Sequence, residues 1–401
     1  MRTKLFLVIL LVTSFATAKD MEDKNDYLRK VLGNLEKIES ARYHIINEGW
    51  NPGDTVPANT YQYKFQEYNN PNDTTIGASF IHFSEEDTTQ VKFVYDGNIE
   101  MTIYHDKKGF IINDFTARPL PFRPLSSPFF NNAKNIIKYI FETKDHITME
   151  WKDEGNNYYV KLTINEEQQV EFFGKAYHMP TPPFEIGDPT SIYELWISKS
   201  NDLPYKIRRE QSHDISVRTC LNPEFNKLSI KDFKIYDYFP HGYEYRRYGV
   251  RESNPEASSL IGKKAPMWTL NDKDDHSVSL SDLKSKVLLI NFTGIGCGAC
   301  QSAIPFLKEL SIKYPNGDFE HIAIDSWRAT SHSLQNYVNR KQLNYKMLCG
   351  TEEVIKEYQT GGAAPVFFIL DKDRVIRKVI RGYAIEKTDK EITDAISEIL
   401  K

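Results

Sequence analysis

The sequence predicts an α+β chain in two parts, an antiparallel β-rich region followed by an α/β region. Three observations carry that prediction. Between Tyr61 and Tyr236, short runs rich in β-branched and aromatic residues are separated by turn pairs such as Asp96-Gly97 and Gly155-Asn156. From Val287 onward, buried-strand patterns alternate with helical ones. The length of 401 residues, 40% of them hydrophobic with 23 Tyr and 23 Phe, suffices for two or three domains with ordinary cores. A formal net charge of −4 lacks the basic excess of a general nucleic-acid binder, so no nucleic-acid partner is expected. Four cysteines are too few for a scaffold built on disulfides.

At the start, Arg2 and Lys4 lead into an apolar run over 5–12, and Ala16-Thr17-Ala18 precede Lys19. This is the pattern of a secretory signal peptide over 1–18. The run is too short for a spanning helix, which needs about 20 apolar residues. The expectation is an exported chain with no transmembrane segment after cleavage, periplasmic if the source is bacterial. Leu28, Val31, Leu32, Leu35 and Ile38 then give the spacing of an amphipathic helix. Alternation predicts strands at 61–67, 79–83, 91–95, 98–104, 110–113, 146–151, 158–164, 170–173, 192–197, 205–208 and 228–236. One helix near 135–141 interrupts them, and the Pro-rich stretches 118–128 and 179–189 read as loops. The β-rich domain is thus 20–250, with a polar linker at 251–259 and an α/β domain at 260–401. In the latter, strands are expected at 287–292, 319–324, 366–370 and 375–380, and helices at 300–314, 331–340, 354–358 and 389–400.

The string from Phe292 to Cys300, with Cys297-Gly298-Ala299-Cys300 at its end, sits where a buried strand gives way to a helix. Two intervening residues let the sulfurs meet within one helical turn. The helix N-terminus stabilises a thiolate at Cys297, expected as the exposed nucleophile, and Cys300 lies one turn deeper as the resolving thiol. Half of a zinc site or a structural disulfide are the other readings. Zinc needs further ligands, and neither a second Cys-x-x-Cys nor paired histidines occur. No metal or cofactor is expected. Asn271-Asp272-Lys273-Asp274-Asp275 lacks the Gly and Glu of a calcium loop and reads as a hairpin turn. The basic-aromatic cluster Tyr243 to Arg251 reads as a sheet edge or the lead into the linker. Cys220 and Cys349 lie in different halves; they could bridge the domains or react, and are by default buried and inert.

With these residues the chain resembles the exported TlpA/ResA-type branch of the thioredoxin-like family, over about 260–401. The resemblance includes Ile261-Gly262-Lys263-Lys264-Ala265-Pro266, Val278 to Leu283, the two cysteines, Pro305, and Gly362 to Asp371. It implies a thiol–disulfide oxidoreductase with Cys297 and Cys300 as redox pair. It implies also a cis Pro365 facing them, and Ala364 offering backbone groups to a substrate strand. Disulfide- or dithiol-containing proteins would be the substrates, and a reductive role would need a DsbD-type membrane electron donor. Gly296, Ala299, Asn291 and Ala303 depart from the family, which usually has Trp, often Pro, an acid and, in the ResA-type branch, a glutamate there. Because parallel strands 287–293 and 319–325 end at the same edge, Asp325 is the candidate proton acceptor, with a helix cap or a solvated carboxylate as its alternative. A peroxidase is a minor reading, since Thr293 stands four rather than three positions before Cys297 and no proline precedes them. The β-rich part is similar to LolA-type lipoprotein carriers, through Tyr193 to Lys199 and Asp202 to Lys206. That similarity implies a half-barrel-like sheet over a helix, and a carrier or binding protein with an accessory redox pair as the other function.

Overall fold

The computed structural model describes residues 22–84, 87, 89–117, 119–120, 127–180, 188–249, 257–315 and 317–401. The expected signal segment 1–18, most of the expected linker and the centres of both Pro-rich stretches lie outside the described residues. Helix α1 spans residues 22–36 and buries Leu28, Val31 and Leu35 at helical spacing. The strands that follow are β1 (Ser40–Trp50), β2 (Asn59–Asn69), β3 (Ala78–Phe83), β4 (Val91–Tyr95), β5 (Glu100–Tyr104) and β6 (Gly109–Asn113). After helix α2 (Phe129–Glu142) come β7 (Ile147–Asp153), β8 (Asn157–Ile164), and a separate hairpin of β9 (Val170–Phe172) and β10 (Ala176–His178). Strands β11 (Ser191–Ser198), β12 (Leu203–Glu210), β13 (Ile215–Phe225) and β14 (Glu244–Arg247) complete this part.

Twelve of these strands form one sheet in the order β14-β6-β5-β4-β3-β2-β1-β13-β12-β11-β8-β7. Every pairing is antiparallel except that of β14 with β6. Alternation decides which side faces in. In β11, Ser191, Tyr193, Leu195 and Ile197 are buried in turn, and the last three join Tyr43, Phe65, Phe80, Val160 and Ile207 beneath α1 and α2. The start of α2 is held from a distance. The Glu67 carboxylate accepts from Phe130 N (3.1 Å) and Asn131 N (3.2 Å), while Tyr43 Oη accepts from Phe129 N and donates to Glu67. The reverse face of β2–β6 carries a second core, Tyr68, Ile81, Val94, Met101, Ile103 and Phe110.

The expected strand at 228–236 is instead a pair of 3₁₀ turns, Ile230–Asp232 and Ile235–Tyr238, the first capped by Ser229. Their side chains cover that second core, so one-sided burial was read correctly but came from packing rather than pairing. Strands β1 and β13, adjacent at the middle of the sheet, were not anticipated, because polar residues such as Asn47, Glu48, Arg218 and Asn222 break their alternation.

The second part starts with the hairpin β15 (Thr269–Asn271) and β16 (Ser277–Ser279), closed by the expected turn. It continues through β17 (Val287–Thr293), α3 (Gly298–Lys313), β18 (Phe319–Asp325), α4 (Ser331–Lys341), β19 (Lys346–Cys349) and α5 (Glu352–Glu357). Strands β20 (Val366–Leu370) and β21 (Ile376–Arg381) and helix α6 (Lys387–Leu400) end the chain. The sheet order is β19-β18-β17-β20-β21, with β17, β18 and β19 parallel and β20 and β21 antiparallel. All seven residues of β17 are buried, as a central strand covered on both faces requires. Helices α3 and α6 pack on one face, and α5 with Trp268 and Leu270 on the other.

The two parts are pinned by the loop between β1 and β2. Asp54 accepts from Ser333 Oγ (2.7 Å) and Asn336 Nδ2 (3.0 Å), Asn336 donates also to Gly53 O, and Arg340 donates to Pro52 O.

Candidate active site

Strand β17 delivers the chain to Thr293, a turn over 294–296 follows, and α3 begins at Gly298 with Cys297 as its N-cap. Cys297 and Cys300 are joined by a disulfide, with Cα atoms 5.2 Å apart. The Cys300 backbone N–H donates to Cys297 Sγ at 3.2 Å, so the first sulfur sits on the electropositive end of the helix. The peptide bond Ala364–Pro365 is cis, and the Ala364 carbonyl oxygen lies 3.7 Å from Cys297 Sγ. Four of the residues picked from sequence, Cys297, Cys300, Ala364 and Pro365, therefore meet at one edge of the five-stranded sheet.

Cys297, expected as the exposed nucleophile, is instead buried. Cys297 is 7% exposed and Cys300 2%, so the first sulfur is nearly covered. Two groups that sequence reasoning missed lie over the redox loop. The Trp327 ring lies against Gly294, where an added Cβ would fall 2.5 Å from ring carbon Cε3, and Trp327 Nε1 donates to Gly362 O at 3.1 Å. Trp327 thus spans from the cysteine turn to the proline loop while remaining half exposed. The second group is His213, whose carbonyl oxygen stands 3.5 Å from a Cβ built at Gly296. Gly296 has φ +80°, and a tryptophan there would be strained and would project towards the β-rich part. That part takes up space beside the cysteine turn, which gives the departure at 296 a physical reason.

Asp325 ends β18 directly across from Thr293 and is fully buried, not solvated. Its Oδ2 accepts from Trp327 N (3.0 Å) and Ala329 N (2.8 Å), capping the turn before α4, while Oδ1 has no partner among the described residues. Burial raises its carboxyl above the usual range, and the backbone N–H groups of Ala329, Trp327, Ile295 and Arg328 act against that shift. Gly350 is needed behind it, since a Cβ there would overlap the Asp325 carbonyl oxygen.

A family model described as AhpC/TSA matches residues 261–379. Thiol-disulfide oxidoreductase ResA of Bacillus thuringiensis (strain Al Hakam) is 32% identical over 121 residues, 30% of this chain and 69% of that protein. ResA of Bacillus thuringiensis subsp. konkukian (strain 97-27) is 30% identical over 156 residues, 39% of this chain and 85% of that protein. The chain belongs to the ResA-like thiol-disulfide oxidoreductases. A solved structure of a putative thiol:disulfide interchange protein DsbE from Chlorobium tepidum is 19% identical, with a TM-score of 0.32, over 35% of this chain and 98% of that one.

Asn291 is buried in β17 with its Oδ1 unpartnered, and Ala303 is fully buried in α3, so neither position offers a carboxylate. The remaining cysteines are free and lie in different sheets, Cys220 in β13 and Cys349 in β19. Cys220 is buried as expected, whereas Cys349 is only partly buried; desolvation pushes both thiols up, Cys349 to about 11 with Asp325 adding to the shift, so both are poor nucleophiles. Among the described residues no helix is long and apolar enough to cross a membrane.

Proposed function

We propose that this chain is an exported disulfide reductase. The observation that carries the reading is the pairing of Cys297, at the N-cap of α3, with Cys300, under the Ala364 carbonyl. In the reduced protein the Cys297 thiolate attacks one sulfur of a substrate disulfide and releases the other as a thiolate. Cys300, deprotonated, then attacks Cys297 Sγ, freeing the second substrate thiolate and closing the internal disulfide. Two electrons pass to the substrate, and two protons are returned to its thiols. Asp325 accepts the proton of Cys300, and Ala364 and Pro365 align the substrate strand. A membrane donor of the DsbD type restores the dithiol. Residues 1–18 are the export signal, 20–250 the β-rich domain, 251–259 the linker and 260–401 the redox domain.

The deciding experiment is the reduction potential of the pair against a glutathione series. A value near roughly −250 mV or below fits the reductase; one near about −120 mV means an oxidant, and no disulfide at any poise removes the enzyme. The carrier reading, with a half-barrel-like sheet over α1 and α2, draws support from a recess of about 330 Å³ whose lining is mainly apolar (Phe130, Leu203, Pro204, Tyr205 and Phe225) with Asn157, Ser198 and Asn201 at its polar side. A lipid recovered by mass spectrometry from purified protein would favour it. The peroxidase reading has the AhpC/TSA description in its favour but lacks the threonine spacing.

A further inference from the structure

A cleft of about 770 Å³ opens between the two parts, beside the redox loop. Its floor belongs to the same sheet face that α1 and α2 cover further along. On that face β1 runs Tyr43, Ile45, then Asn47 and Gly49, and β2 runs Phe65, Tyr63, then Tyr61 and Asn59. The face turns from apolar to polar where its cover changes from helix to the redox part. Strand register makes the floor continuous. One row places Asn59, Gly49, Ser216, Arg209 and Tyr193 side by side across five strands. The next places Tyr61, Asn47, Arg218 and Ile207 together. The roof is Ile295, two residues before Cys297, with Asp325 and the 327–330 turn that carries Trp327.

The polar groups on this floor are not alike. Arg209 is neutralised by Glu171 (3.1 Å) and Asp214 (2.6 Å). Arg218 donates to two neutral oxygens, Ser127 O (2.7 Å) and Asn132 Oδ1 (2.6 Å), and has no carboxylate within ion-pair distance among the described residues. A guanidinium held by neutral acceptors retains a full charge and spare N–H donors in a site of reduced dielectric. Trp50 Nε1, also at the cleft, is buried without an acceptor among the described residues. In the roof, Asp325 Oδ1 is likewise unpartnered.

Such a site wants a ligand that brings one negative charge for Arg218, a carbonyl oxygen for Trp50 Nε1 and an N–H for Asp325 Oδ1. The volume is that of a binding pocket rather than of a single ion, and it lies at a junction between two parts of the chain, where such pockets concentrate. Its walls mix side-chain amides with the aromatic faces of Trp50, Tyr61, Phe173 and Trp327, a combination suited to main-chain hydrogen bonds and varied side chains. We propose that this cleft binds an extended segment of the disulfide-bearing protein substrate, with an acidic side chain near the reacting cysteine set against Arg218. The proposal rests on the redox reading above and adds its substrate class. It makes the β-rich part the selector of substrates for the cysteine pair.

The test uses the reduced full-length protein and three peptide disulfides that differ only in Glu, Gln or Lys beside the cysteine, with 2-hydroxyethyl disulfide as a small neutral probe. Single-turnover rates are expected to favour the Glu over the Lys peptide by roughly tenfold or more in kcat/KM, the size of one charge-assisted hydrogen bond. Arg218→Gln is expected to bring that ratio near one. Because Arg218 also braces Ser127 and Asn132, a second variant is needed. Asn47→Asp sets a carboxylate across the strand pair from Arg218 and is expected to abolish or invert the preference. Reading each variant as a Glu-to-Lys ratio cancels any general loss of reactivity. Equal rates for the three peptides in the parent protein, or a preference untouched by both variants, would overturn the proposal. A parent protein unreactive towards the small probe as well would remove the redox reading, and the proposal with it.

Discussion

Replacing Asp325 with Asn removes one ionisable group and leaves the local geometry nearly intact. The amide oxygen of the variant retains the bonds from Trp327 N and Ala329 N, now 3.0 and 2.8 Å, and the amide nitrogen takes the place of Oδ1, which has no partner to lose. Folding is therefore expected to survive. Because burial raises the Asp325 carboxyl, ionising it costs the native protein stability as pH rises, so the stability of Asp325→Asn relative to the native protein should rise with pH. The catalytic consequence runs the other way. If Asp325 takes the Cys300 proton, its loss should slow the resolving step by about 10²–10⁴-fold, the usual worth of a positioned general base. Attack by Cys297 on the substrate should change little. The assay is rapid-mixing kinetics from pH 5 to 9 with a peptide disulfide, following the mixed disulfide by quenching and mass spectrometry. The mixed disulfide should accumulate in the variant, and the low-pH limb of the resolution profile should disappear. An unchanged pH–rate profile with rates within roughly twofold would refute the role and leave Asp325 as a turn cap.

Cys300→Ser should trap substrate on Cys297, seen as a covalent complex on non-reducing gels that dithiothreitol dissolves. Trp327→Ala loses the bond to Gly362 O and the cover over Gly294, so iodoacetamide should label reduced Cys297 several-fold faster; an unchanged rate would mean that the ring does not limit access. Asp54→Ala removes acceptors for Ser333 and Asn336 and should cost on the order of 1–3 kcal/mol of docking between the two parts, visible as faster hydrogen exchange in α4 with the core of the five-stranded sheet unchanged. Glu67, whose carboxyl is pushed up from 4.5 to about 6 by burial, gives stability that is full below pH 4.5 and is lost as pH rises through 6. The loss is on the order of 2 kcal/mol, and Glu67→Gln should flatten that part of a denaturation-versus-pH series.

The pairing of the two cysteines was legible in the sequence. Cysteine spacing, an apolar strand ahead of a helix, and a proline before the next strand are local features, and local geometry suffices to bring Cys297 and Cys300 together. The position of Asp325 was legible too, because parallel strands of equal length end at the same edge. Most of the short strands were read for the same reason, since alternation reports one-sided burial wherever one face is dry. Tertiary structure alone decided what surrounds that centre. Trp327 over Gly294 and the His213 carbonyl beside Gly296 are contacts between residues far apart in the chain, with no periodic trace in either segment. Strands β1 and β13 escaped the alternation rule because their inward face changes partner partway along, from helices that demand apolar side chains to a cleft that accepts Asn47, Ser216 and Arg218. Burial pattern is set by what covers a strand, and here the cover is a part of the molecule encoded elsewhere in the chain.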